Sequence, residues 1–238
     1  MNNAGYTALT RQYGLQRELH LLANNIANSS TTGYRREGVL FSEFVQRLDG
    51  TEASLSMAAA NARQTYLTQG ALAPTGGALD LAIEGDGFFL IETPQGERLT
   101  RAGHFQTNGD GEMVTPDGYP VLDEGGARIF VPVDAGQLAI ARDGTVSVDG
   151  DPLAQIALVR PTDAADLRRA PGVLLEPTGE LLPADDAVVH QGFLEESNVD
   201  PISEMARLIA VQRAYELGQS FLDREDERIR NVVQTLGR

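Results

Sequence analysis

Leu22-Ala23-Asn24-Asn25-Ile26-Ala27-Asn28-Ser29-Ser30-Thr31-Thr32-Gly33-Tyr34 is the stretch around which the rest of the chain is organised. Upstream of it, Leu15, Leu19, Leu22 and Ile26 recur at steps of four, three and four, the single apolar face of a helix. Downstream, the hydroxyls of Ser29, Ser30, Thr31 and Thr32 compete for local backbone hydrogen bonds, and Gly33 tolerates the positive φ that ends helices. A helix over residues 3–28 therefore stops here. Read alone, the asparagines are helix-end chemistry. A matching helical pattern near the other end of the chain gives them a second reading.

That second pattern begins at Asp200, a good N-cap, followed by Pro201, whose missing N–H costs nothing in the first turn. Met205, Leu208, Gln212, Tyr215, Gln219, Leu222, Asp226, Ile229, Val233 and Leu236 then alternate in steps of three and four, a sustained heptad seam. Ile202, Ile209, Val211 and Val232 flank it, so the stripe is wider than one partner helix would cover. At ~1.5 Å per residue the helix reaches about 50 Å.

Between the helices the pattern changes twice. Residues 34–75 carry a short apolar run (Val39 to Leu48), a low-complexity stretch rich in Ala, Ser and Met (Ala53 to Ala62), and closing turn residues Pro74 to Gly77. This reads as a connecting stem, extended in part. From Leu79 to about Gln191, short strands are punctuated by Asn-Gly and Asp-Gly turns, such as Asn108-Gly109, Asp117-Gly118 and Asp143-Gly144. Such spacing argues an antiparallel β-domain, with no long helical pattern to support a doubly wound α/β fold. The expected fold class is α+β. Residues 1–33 and 199–238 make one discontinuous helical assembly domain with coiled-coil-like pairing, 34–75 the stem, and 76–198 the β-domain.

Composition narrows the function. The 238 residues contain no cysteine, which excludes disulfides, thiolate metal sites and cysteine nucleophiles. The net charge of -15 is uneven: residues 49–200 hold eight Arg against 25 acidic residues, while 1–48 hold five against three and 201–238 six against six. An acidic centre argues against nucleic acid, whose phosphates need clustered positive charge. The N-terminus shows no basic and apolar signal-peptide pattern.

Catalytic chemistry finds no support. His20, His104 and His190 lie in separate elements without metal-ligand spacing. Gly85-Asp86-Gly87-Phe88-Phe89-Leu90 lacks the third glycine of a dinucleotide loop, and Asn108-Gly109-Asp110-Gly111-Glu112 has Met113 where a calcium loop needs glycine, so a hairpin turn is the better reading. No catalytic residue, cofactor, metal or small-molecule substrate is expected.

Four motifs, in order, resemble those of the bacterial flagellar rod and hook proteins. They are Leu22 to Asn28 followed by Thr32-Gly33-Tyr34; Asp80-Leu81-Ala82-Ile83-Glu84-Gly85-Asp86-Gly87-Phe88-Phe89, continued by Thr100 to Phe105; Gln191-Gly192-Phe193-Leu194-Glu195-Glu196-Ser197-Asn198-Val199; and Gln212-Arg213-Ala214-Tyr215-Glu216. Within that family, the length, Thr75-Gly76-Gly77-Ala78 and the stretch Gly118 to Gly126 point to the proximal-rod branch rather than the distal-rod branch. The resemblance implies an axial basal-body subunit, self-associating and joined to other rod subunits in a helical tube that transmits torque. It implies passage through the flagellar export apparatus without a cleaved signal. The terminal helices would line the tube, ordering against each other and against neighbours. Leu15, Leu19, Leu22, Asn25, Ile26, Asn28, Met205, Leu208, Gln212, Tyr215, Leu222, Ile229, Val233 and Leu236 are the expected assembly residues. The reading from a different class is a β-domain that binds or catalyses, carried on coiled-coil oligomerising ends.

Overall fold

The computed structural model describes residues 3–46, 55–132 and 136–236. Two helices, α1 (Asn3–Ala27) and α2 (Pro201–Leu236), bracket a chain that is otherwise almost entirely antiparallel strands, so the fold is α+β. Neither helix is long and apolar enough to cross a membrane among the described residues.

The chain divides into two compact units. The helical unit holds α1, α2 and a hairpin of β1 (Glu37–Gln46) with β2 (Leu55–Thr65), the hairpin's last residue Thr65 excepted. The β-unit holds Asn28–Arg36 and Thr65–Val199. The segment expected as a stem over 34–75 is thus shared: residues 37–64, which hold the hairpin strands, are grouped with the helices, and residues 34–36 and 65–75 belong with the strands. The Ala- and Ser-rich composition of β2 hid the strand, because its apolar alternation is weak. Leu48 and residues 53–54 of the low-complexity stretch lie outside the described residues.

Within the helical unit α1 and α2 run antiparallel. Asn25 on α1 meets Glu204, Glu18 meets Arg207, and Gln12 donates to the carbonyl of Tyr215 at 2.8 Å. Asp200 caps α2 as expected, its carboxylate accepting from the Ile202 N–H at 3.1 Å and the Ser203 hydroxyl at 2.5 Å. Both bonds hold the Asp200 carboxyl below its ordinary value, Ser203 contributing first.

The β-unit is built on a six-stranded antiparallel sheet whose centre is β5 (Phe88–Thr93) paired with β6 (Gly96–Thr100). Side chains alternate across a strand, so a sheet covered on both faces buries consecutive residues. Phe89 and Ile91 enter one apolar cluster with Leu81, Phe105, Met113 and Ile156; Phe88 and Leu90 enter a second with Leu99, Leu122 and Leu175. This explains why Phe88-Phe89-Leu90-Ile91 is an unbroken apolar run. β3 (Leu72–Pro74) pairs with Phe193–Glu195, and β4 (Leu81–Glu84) pairs with Val188–Gln191. The Asn108 turn is a hairpin: its side-chain oxygen accepts the N–H groups of Asp110 and Glu112, joining Gln106–Thr107 to Met113–Val114.

Candidate assembly site

The face of α2 that meets α1 is set by size and chemistry at six positions. Glu204 and Val211 are buried, and Leu208, Tyr215, Gly218 and Leu222 are half-buried. The seam therefore shares Leu208, Tyr215 and Leu222 with the heptad read from the sequence. Its alternate positions lie one residue earlier, at Glu204, Val211 and Gly218 in place of Met205, Gln212 and Gln219. Both registers keep steps of three and four. Val211 reads as a flanking residue in the sequence, and Glu204 and Gly218 are polar or weak, so hydrophobicity alone does not mark the positions of α2 that face α1. At Gly218 the side chain of Gln12 takes up the space beside the helix, its amide nitrogen 2.2 Å from where a Cβ would lie, so a larger residue there would move Gln12. Glu204 belongs there because α1 supplies Asn25.

Asn25 is completely buried. Its amide donates to the Glu37 carbonyl at 2.8 Å and to Glu204 Oε2 at 3.0 Å, and its oxygen accepts the Glu37 N–H at 3.1 Å. One side chain thus ties α1, β1 and α2 together. Of the other expected residues on α1, Leu22 is buried and Leu15, Leu19 and Ile26 are half-buried. Asn28, half-buried in the loop after α1, accepts from the Thr31 hydroxyl. On α2, Met205, Gln212 and Ile229 are exposed; the side chains of Val233 and Leu236 lie outside the described residues. Ile202 and Ile209 are exposed beside Met205, on the side of α2 away from its seam.

The β-unit closes around a second polar node, which the sequence motif contained without revealing its role. Glu195 is wholly buried and pairs with two buried arginines, Arg35 Nη1 at 2.6 Å and Arg101 Nη1 at 3.1 Å. Its Oε1 also accepts the Gly70 N–H at 2.8 Å, and its backbone carbonyl takes the Gly33 N–H at 2.7 Å. Burial pulls the Arg101 guanidinium down to about 10, against the opposing pull of Glu195. Arg101 is further fixed by the Ile83 and Gly85 carbonyls and lies over the Phe88 ring. Nearby, Asn198 donates to the Tyr66 carbonyl at 2.9 Å and the Thr68 carbonyl at 2.8 Å while accepting the Arg36 N–H at 2.6 Å. Gly33 must be glycine: its φ is +67°, and an added Cβ would lie 2.2 Å from the Ala102 nitrogen.

The histidines build no reactive centre. His104 Nδ1 lies 2.5 Å from Asp80 Oδ1, and the Thr75 hydroxyl donates to Asp80 Oδ2 at 2.6 Å. Both contact the carboxylate, which leaves no base on the hydroxyl, so the nucleophile-to-base geometry of a triad is missing. His190 pairs with Glu84 at 2.6 Å. No group of metal-binding side chains occurs among the described residues.

Three family models match the chain: a flagella basal body rod protein over residues 6–35, the flagellar hook protein FlgE/F/G D1 domain over 82–148, and the flagellar basal body rod FlgEFG protein C-terminal region over 190–235. The chain is 40% identical to the flagellar basal-body rod protein FlgF of Caulobacter vibrioides and 38% identical to that of Rhizobium meliloti, covering 100% of this chain and 99% of each relative. It is 31% identical to the FlgG rod protein of Bacillus subtilis, over 96% of this chain and 97% of the relative. The motifs behind these matches hold both Asn25 and the Glu195–Asn198 node. The higher identities favour the FlgF branch over FlgG.

Proposed function

The chain belongs to the flagellar basal-body rod protein family, as a structural subunit and not an enzyme, and from that premise we propose that α1 and α2 form the coiled-coil-like core through which copies and neighbouring rod subunits assemble into a torque-transmitting tube. One observation carries the reading: α2 keeps apolar side chains uncovered where α1 cannot reach. Ile202, Met205 and Ile209 lie off the seam, and Ile229 and Val232 are also exposed. The antiparallel register sets Asn3 opposite the region of Glu225, so the last turns of α2, about 15 Å at ~1.5 Å per residue, run on past α1. Apolar stripes at helical spacing suit burial against further helices.

Charge supports the same division of labour. The helical unit holds ten Arg against 12 acidic residues, and the β-unit nine against 22. Near-neutral helices can approach one another in a polymer, while the acidic unit resists close packing with its copies and favours a solvated position. Transfer to the basal body through the flagellar export apparatus, without a cleaved signal, is part of the same proposal.

The test is the double substitution Met205→Asp and Ile229→Asp. Both positions are exposed, so the purified chain keeps its melting behaviour to within about 0.5 kcal/mol per site. The variant subunit should be missing from isolated basal bodies, and the cells should not swim. Normal incorporation and swimming would remove α2 from the assembly surface.

A further inference from the structure

We propose that Asn198 and Glu195 are positioning residues: they form a clamp by which the β-unit grips every chain segment leading to the helical unit, so that load arriving along the helices is shared on entry. The load-bearing part rests on the rod reading given above; the clamp itself rests on geometry within the β-unit.

The chain passes between the two units four times, at residues 27–28, 36–37, 64–65 and 199–200. Inside the β-unit, the residues next to those passages are 28–36, 65–71 and 195–199. Asn198 bonds backbone atoms of the other two segments at once: Arg36 from the first, Tyr66 and Thr68 from the second. Glu195 repeats the pattern through Arg35 and Gly33 on the first segment and Gly70 on the second. Direct backbone bonds complete it: Tyr66 N–H to the Arg36 carbonyl, Glu196 N–H to the Ala71 carbonyl, and Asn198 N–H to the Tyr34 carbonyl. Glu195 then anchors the bundle to the six-stranded sheet, because Arg101 directly follows β6.

Hydrogen bonds loaded one after another break one at a time, as when a strand peels from an edge. Bonds loaded together must fail together. The clamp places the entering segments in the second arrangement. Its chemistry suits this role: Asn198 is only half-buried, yet both ends of its amide are spent on main chain, which makes it a connector between segments more than a contributor to the core.

The experiment pulls the full chain between cysteines added at its two ends; the chain has none of its own, so attachment is unique. Once α1 and α2 have unwound, the wild-type β-unit should open in one step. Asn198→Ala should add an earlier, lower-force step of about 120 Å, the extended length of residues 28–64 at ~3.3 Å each, because the β1–β2 hairpin comes under load as soon as residues 28–36 are released. Asn198→Asp keeps the oxygen that accepts Arg36 and loses the donations, so its force should fall between the two. A purely structural contribution would lower the melting temperature without adding a step. An unchanged single step in Asn198→Ala overturns the clamp. In cells, Asn198→Ala should be incorporated and swim in dilute medium but lose speed in viscous medium. An early step with unimpaired swimming in viscous medium would uphold the clamp and count against the torque-bearing reading.

Discussion

Glu195→Gln isolates the electrostatics of the β-unit's node. The substitution keeps the shape of the side chain, so no cavity opens. It removes the one carboxylate standing between Arg35 and Arg101, whose side chains are 1% and 2% exposed. The amide oxygen can still accept from Gly70, but its nitrogen then faces a guanidinium donor, and two buried cations lose their counter-charge. Removing one partner of a buried ion pair costs about 3–5 kcal/mol, because the remaining charge cannot be re-solvated. For a unit of this size that lowers the melting temperature by on the order of 10 °C. Arg101 shows the stress in the native state, since burial already draws it down to about 10 while Glu195 opposes that shift. Calorimetry on the full chain is the assay, with Arg35→Met as the comparison. Arg35→Met leaves Glu195 and Arg101 as a neutral pair, and Arg35 Nε and Nη2 have no hydrogen-bond partner among the described residues, so it should cost less than Glu195→Gln. Equal or reversed losses, or a Glu195→Gln melting temperature within about 2 °C of wild type, would refute a charge-held node.

Four further outcomes are expected. Asn25→Ala removes a buried partner from Glu204 and from the Glu37 backbone, at about 1–3 kcal/mol for each group affected; urea unfolding followed by the helical signal measures it. Asn25→Asp, which faces Glu204 with a second carboxylate, should cost more than Ala at neutral pH and recover as acid is added. Gly33→Ala combines positive-φ strain of about 1–3 kcal/mol with a backbone collision, and should abolish soluble expression or lower the melting temperature sharply. The lowered Asp200 carboxyl predicts the sign of an acid effect: its capping is complete above the ordinary value of 3.8 and is lost as pH falls through the lower folded value. Wild-type helicity should therefore drop in that acid range, while Asp200→Asn should show no such step by circular dichroism.

Periodicity was most legible where one face of an element is apolar and the other polar. The helices belong to that class; the turn at Asn108 and the N-cap at Asp200 were legible because neighbours in sequence govern them. Legibility failed where the partner lies far along the chain. Nothing near Glu204 or Gly218 marks either for a helix seam, because the residues they face, Asn25 and Gln12, lie far away in the sequence. The β1–β2 hairpin was hidden for the complementary reason: alanine and serine in β2 give little alternation, and pairing with β1 supplies what side-chain pattern does not. Glu195 and Asn198 were visible as part of a motif. Their roles needed the fold, since a buried carboxylate between two arginines cannot be told from a surface acid by sequence spacing.

The shift of the α2 seam changes what its wide apolar stripe means. With the alternate positions at Met205, Gln212 and Gln219, α1 would cover Met205 and leave Val211 at the edge, with Ile202 and Ile209 off the seam in either register. With Glu204 and Val211 in those places, α1 takes the mixed face, and Asn25 donates a hydrogen bond to its polar member. Ile202, Met205 and Ile209 stay exposed on the other side. A carboxylate in an intramolecular seam can be matched by fixed partners, as Glu204 is by Asn25. An intermolecular surface formed repeatedly along a polymer gains more from side chains that need no individual partner. The division places polar specificity inside the subunit, where register is set once by Asn25. In the proposed assembly the plain hydrophobic area outside would be the part that accepts neighbours, which would account for a stripe broader than a single helix requires.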